Sequence, residues 1–116
     1  MTEHEQTMEQ LIEAFHQTWD AFPGVTRLIG KGDLVLASNK AAEAAGLTAG
    51  QICARMGAPE SHRGCRKALA LRTQTSQIDR PAEGKIRGWI PVAGYPEVVV
   101  HFSLALPDVN PVQGKA

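Results

Sequence analysis

The stretch GDLVLASNKAAEAAGL, Gly32 to Leu47, runs a tight turn, a short apolar strand and an alanine-rich helix in immediate succession. Glycine tolerates positive φ, so Gly30-Lys31-Gly32-Asp33 reads as a turn. Leu34 to Ala37 reads as a strand. Asn39 is placed to cap the helix that follows through its side-chain oxygen. Ala41, Ala42, Ala44 and Ala45 allow that helix to approach a sheet closely, and Gly46 ends it. The junction Ser38-Asn39 carries neither a nucleophile motif nor a phosphate-cradling glycine loop, so its role reads as architectural.

Toward the N-terminus, Val25 to Ile29 is a second β-branched run, and the two runs form a hairpin. Before it, Met8, Leu11, Ile12, Phe15, Trp19 and Phe22 recur at steps of three and four, which predicts an amphipathic helix stopped by Pro23-Gly24. A helix with one narrow apolar stripe must lay it on something, either its own domain or a second copy. The 3,4 spacing favours pairing with a second copy, so residues 1–22 are expected to mediate a homodimer.

Toward the C-terminus, Thr48 opens a short turn through Cys53, and Gly57-Ala58-Pro59 breaks the chain. Ser61 is placed to cap a longer helix to about Thr73, with Cys65, Leu69 and Ala68 facing inward. Gln77–Arg80 is a weakly signalled strand. Lys85–Val92 and Glu97–Leu106 are stronger ones, joined by Ala93-Gly94-Tyr95-Pro96. Val98, Val100, Phe102 and Leu104 alternate with Val99, His101 and Ser103, which predicts one buried face and places His101 on the outer side. Parallel βαβ repetition is absent, so the fold class is α+β, an antiparallel sheet with helices gathered on one side.

A chain of 116 residues suits one domain. No apolar run approaches the roughly 18 residues of a membrane span, and the N-terminus lacks a signal-peptide pattern, so a cytoplasmic protein is expected. Net charge is zero. Arg55, Arg63, Arg66, Lys67 and Arg72 are not interleaved with aromatics and read as a solvated face rather than a nucleic-acid surface. Cys53 and Cys65 have neither the spacing of a zinc motif nor the number for a disulfide framework, and read as reduced thiols.

The opening stretch resembles the start of a PAS domain, in which a Gly-rich hairpin is followed by a hydrophobic-x-x-Asn-x-Ala-Ala run and then a glycine. The resemblance extends over Val25 to Leu106. Pro107-Asp108-Val109-Asn110 resembles the Asp-Ile-Thr run that often closes the last PAS strand, and Gly64 to Thr73 resembles a helix variant of bacterial PAS sensors. The resemblance implies a five-stranded antiparallel sheet over which helices fold back to leave a cavity. It divides the chain into an N-terminal helix (1–22), a sensor domain (23–107) and a tail (108–116).

Such a cavity would be lined here by Leu28, Leu36, Met56, Leu69, Trp89, Val100 and Phe102, residues that would equally make an ordinary core. Arg87 and Trp89 alternate on one strand and share a face, where they would be polar anchors. Light-sensing relatives carry a flavin-reactive thiol in an Asn-Cys-Arg-Phe-Leu-Gln motif. Counted from Ser38-Asn39, that position falls near Met56-Gly57, well before Cys65, and the flavin-holding Asn and Gln are missing. No flavin is therefore expected. His62 and Cys65 are weak candidates for ligating haem or another cofactor, although a histidine beside Arg63 reads more simply as a solvated loop residue. No metal site and no catalytic set is read from the spacing.

The resemblance implies a sensory or interaction domain without catalysis of its own. It would bind a small ligand or dimerise upstream of an output domain such as a histidine kinase, diguanylate cyclase or transcription regulator. The alternatives are a ligand-free dimerisation module and a small α+β enzyme with an unrecognised site.

Overall fold

The computed structural model describes residues 7–53 and 64–106. Met56 and His62, both named above, lie outside the described residues. The first helix, α1 (Met8–Trp19), starts at Thr7, whose hydroxyl accepts from the Gln10 amide while the Gln10 side chain accepts from the Thr7 amide. This reciprocal capping box satisfies two amides that a helix start leaves open.

Strands β1 (Val25–Ile29) and β2 (Val35–Ser38) form the expected hairpin. The turn between them is a single 3-10 turn, Lys31–Asp33, in which Gly32 takes φ 70°. Leu28 pairs with Ala37 and Ile29 with Val35, so Leu36 is an extra residue that bulges the hairpin. Helix α2 (Lys40–Ala44) follows at once, capped by Asn39, whose Oδ1 accepts from the Ala42 amide at 2.9 Å. The remaining elements are α3 (Lys67–Thr73), β3 (Gln77–Ala82), β4 (Lys85–Val92) and β5 (Tyr95–Ala105).

The fold is α+β. The five strands make one antiparallel sheet in the order β2-β1-β5-β4-β3, so the last strand lies at the centre. That position explains a departure from the sequence expectation. A strand with one wet face would bury only alternate residues, yet Val98, Val99 and Val100 are all buried. Both faces of the sheet are covered.

The two covers differ. Leu11 and Phe15 of α1 pack with Leu28, Ala37, Val98 and Val100, joined at the margin by Ile12, Trp19 and Leu36. On the other face Ile29, Val35 and Val99 meet Leu71 of α3 and Cys53. Helices α1 and α3 thus take opposite faces of the sheet. The α1 stripe, expected to seek a second copy, is spent on the core of its own chain.

Helix α3 also begins later than the Ser61 expectation. Gly64 adopts φ 75° and Arg66 lies off helical geometry, so Cys65 precedes the helix instead of facing the sheet from within it. Cys65 is exposed, contrary to the inward position expected for it. Ala68 is exposed too, and the buried α3 residue is Ala70. Lys67 fixes this phase: its Nζ donates to the Gly30 carbonyl at 3.2 Å and to Asp33 Oδ1 at 2.7 Å.

Candidate functional site

Register places one polar side chain from each strand in a line across the sheet. Ser38 of β2 pairs with Arg27 of β1, Arg27 with His101 of β5, His101 with Trp89 of β4, and Trp89 with Gln77 of β3. Paired residues share a face, and residues two apart along a strand do as well. The row therefore lies on the α3 side, two positions along from Ile29 and Val99. Apolar packing fills one end of that face and polar groups fill its middle.

Within the row the imidazole of His101 stacks on the Trp89 indole, with centroids 4.9 Å apart and planes 8° from parallel. His101 Nδ1 donates to the Gly88 carbonyl at 2.8 Å, which places the ring proton on Nδ1 and leaves Nε2 as the acceptor. Burial pushes the His101 pKa down from 6.5 to about 4, against the Gly88 hydrogen bond and with the help of Arg27 and Arg87. The ring is neutral at ordinary pH.

Arg87 lies one step from the row on β4, its guanidinium carbon 5.2 Å from the centre of the Trp89 ring. Its Nε donates to Asp79 Oδ1 at 2.7 Å and its Nη2 to Asp79 Oδ2 at 3.1 Å. This two-pronged pair across β3 and β4 holds a buried guanidinium flat. At the other side Arg27 Nη1 donates to Cys53 Sγ at 3.4 Å. Burial pushes the Cys53 thiol up, opposed by the Arg27 charge. At the β2 end Ser38 Oγ is buried with no hydrogen-bond partner among the described residues.

The lining proposed from sequence is divided by this geometry. Leu28 and Val100 belong to the α1-side core with Leu36 at its margin. Phe102 is on that side too, edge-on to Phe22 at 5.9 Å. Trp89 faces α3, and Leu69 is half-buried on α3 itself. A sheet separates the two sets, so they do not line one cavity. The expectation that Arg87 and Trp89 share a face holds.

His101, expected on the outer side, belongs to the row. Arg27, Asp79, Ser38 and Cys53 were not singled out from sequence as site residues. Only the cross-strand register brings them together, and the one local signal was polar residues recurring at strand positions of the same parity.

Among the described residues no group of three or more His, Cys, Asp or Glu side chains is arranged to hold a metal ion. The arrangement offers hydrogen bonds and a planar aromatic surface, which suits recognition. No family model, curated protein or solved structure matches the chain.

Proposed function

We propose that the chain is a PAS-type sensory domain that binds a small molecule on the α3 face of its sheet. One observation carries the reading. The middle of a covered sheet face is polar, a row of Ser38, Arg27, His101, Trp89 and Gln77, and the Ser38 hydroxyl within it is buried without a partner among the described residues. Buried polar groups normally find partners, and a face meant only for packing would be apolar. A ligand bearing both hydrogen-bonding groups and a flat surface would meet these side chains. The antiparallel sheet of five strands and the Asn39 cap support the same reading, because the resemblance of GDLVLASNKAAEAAGL implies both.

In this reading the domain is cytoplasmic. It passes a change of occupancy to an output domain such as a histidine kinase, diguanylate cyclase or transcription regulator. Among the described residues no helix is long and apolar enough to cross a membrane. Ligand binding would shift the balance between two packings of the helices on the sheet.

Mass spectrometry of small molecules released from the purified, denatured protein tests the proposal. So does the shift in Tm with a metabolite library. A released or stabilising compound that is lost in Trp89→Ala supports it. Protein that releases nothing and is stabilised by no compound would point to the ligand-free dimerisation module.

A further inference from the structure

The sheet face turned toward α3 holds two hydrogen-bonding atoms that the chain leaves unmatched. Ser38 is 2% exposed, and its Oγ has no hydrogen-bond partner among the described residues. His101 spends only one ring nitrogen on the protein. Its Nδ1 donates to the Gly88 carbonyl at 2.8 Å, and its Nε2 has no hydrogen-bond partner among the described residues. Because Nδ1 carries the ring proton, Nε2 has only a lone pair to offer. The two atoms therefore ask for different things. The hydroxyl gives or accepts, and Nε2 only accepts.

Register fixes their spacing. Ser38 pairs with Arg27 and Arg27 with His101, so the two side chains stand two strands apart on one face. At about 4.8 Å between neighbouring strands, the separation is about 10 Å. A molecule joined to both through ordinary hydrogen bonds of about 2.8 Å carries its own polar groups about 5 Å apart. That is the reach of one six-membered ring with para substituents. Such a ring crosses above Arg27, whose flat guanidinium favours an aromatic face whatever its N–H groups hold. The acceptor itself is held in a fixed plane, because His101 stacks on Trp89 with centroids 4.9 Å apart.

We infer that the ligand of this face is an aromatic compound that donates a phenolic O–H or ring N–H to His101 Nε2 and hydrogen-bonds Ser38 Oγ through a polar group across the ring. This rests on the proposal that the α3 face takes a ligand. A carboxylate or carbonyl set against Nε2 would bring lone pair against lone pair, so compounds with acceptors alone are refused there. Burial pushes the His101 pKa down to about 4. The imidazole thus stays an acceptor at ordinary pH instead of becoming a donor on both nitrogens. Selectivity comes from one tautomer, set by the Gly88 carbonyl.

Calorimetric titration of the full chain with para-hydroxybenzamide and para-methoxybenzamide tests the inference, since the methyl group removes only the donor. The hydroxy probe should bind at least about tenfold more tightly, because the ether leaves Nε2 unsatisfied. It should also move the Nε2 resonance of His101 in nitrogen NMR spectra, which the ether should not. His101→Phe keeps a ring against Trp89 but lacks the acceptor, so the preference should vanish in it; its melting curve shows whether it folds. Ser38→Ala should weaken both probes alike and leave their ratio unchanged. Equal binding of the two probes to the unaltered chain would overturn the inference while leaving the face a ligand site. An Nε2 resonance that ignores the bound hydroxy probe, or a preference that survives in folded His101→Phe, would overturn it too. If neither probe binds, the inference falls, and the compounds released from denatured protein then decide the proposal beneath it.

Discussion

Asn39 Nδ2 donates to the Trp19 carbonyl at 3.0 Å, so the residue that opens α2 also closes the end of α1. The same nitrogen donates to the Gly24 carbonyl at 2.9 Å, while Oδ1 accepts from Thr26 and Ala42. Asn39 is fully buried. One amide thereby joins α1, the turn before β1, β1 itself and α2. Asn39→Ala should remove a cap and leave several buried backbone groups unsatisfied, costing about 3 to 5 kcal/mol. Asn39→Asp should fail comparably, since its second oxygen would oppose two carbonyls. Denaturant midpoints measure both. A loss of only about 1 kcal/mol would mean that capping alone matters.

Asp79 and Arg87 form a second, part-buried joint, with side chains 16% and 10% exposed. Removing one partner of such a pair is expensive because the other charge stays buried. Asp79→Ala should therefore cost about 3 to 5 kcal/mol, whereas the double variant Asp79→Leu with Arg87→Met should recover much of that loss. Arg66 is only a distant support, 3.9 Å from Asp79 and itself exposed, so Arg66→Ala should shift the denaturation midpoint little. A double variant as unstable as Asp79→Ala would show that the charges are needed as a pair.

The sequence was most legible where local chemistry decides the outcome. Asn39 caps a helix, Gly32 takes positive φ in its turn, and β4 spans Lys85–Val92, all as expected. It was least legible where strand order decides. Nothing near Val99 or His101 says that β5 lies at the centre of the sheet, and an alternating strand covered on one face has the same local pattern. Alternation alone therefore places His101 outside, and the row from Ser38 to Gln77 is invisible in the sequence. Leu28 and Trp89 read alike as cavity lining because both are large and apolar, a property that carries no information about which face each occupies. For Cys65, the expected helix runs back through Gly64, whose positive φ ends it.

The α1 stripe yields a prediction about stability rather than pairing. Phe15 is 3% exposed and Leu11 is 7% exposed, both against the sheet of the same chain. Phe15→Ala should cost about 3 to 5 kcal/mol. Deleting residues 1–22 should abolish the cooperative thermal transition in circular dichroism. Met8 is 40% exposed, so Met8→Ser should change stability by less than about 0.5 kcal/mol. A truncated chain that melts like the full one would make α1 an appendage, and sedimentation would then show whether its loss dissolves a dimer.

His101 supplies the pH dependence. Its pKa is about 4 in the fold against 6.5 for the free side chain. The unfolded chain therefore takes up a proton first as the medium is acidified. Above pH 6.5 both states are neutral at this position and stability is unaffected by it. Between pH 6.5 and 4 the unfolded state is increasingly favoured, and below pH 4 the loss levels off as the folded ring also protonates. At about 1.36 kcal/mol per unit, the full loss is about 3 kcal/mol. His101→Asn keeps a nitrogen that can donate to the Gly88 carbonyl but cannot titrate, so its stability should fall less than that of the unaltered chain across the window. Urea denaturation of both proteins at pH 7.5, 6, 5 and 4, test values spanning the window, gives the comparison. Parallel curves would show that His101 titrates normally, which would place its ring in water and remove it from the polar row.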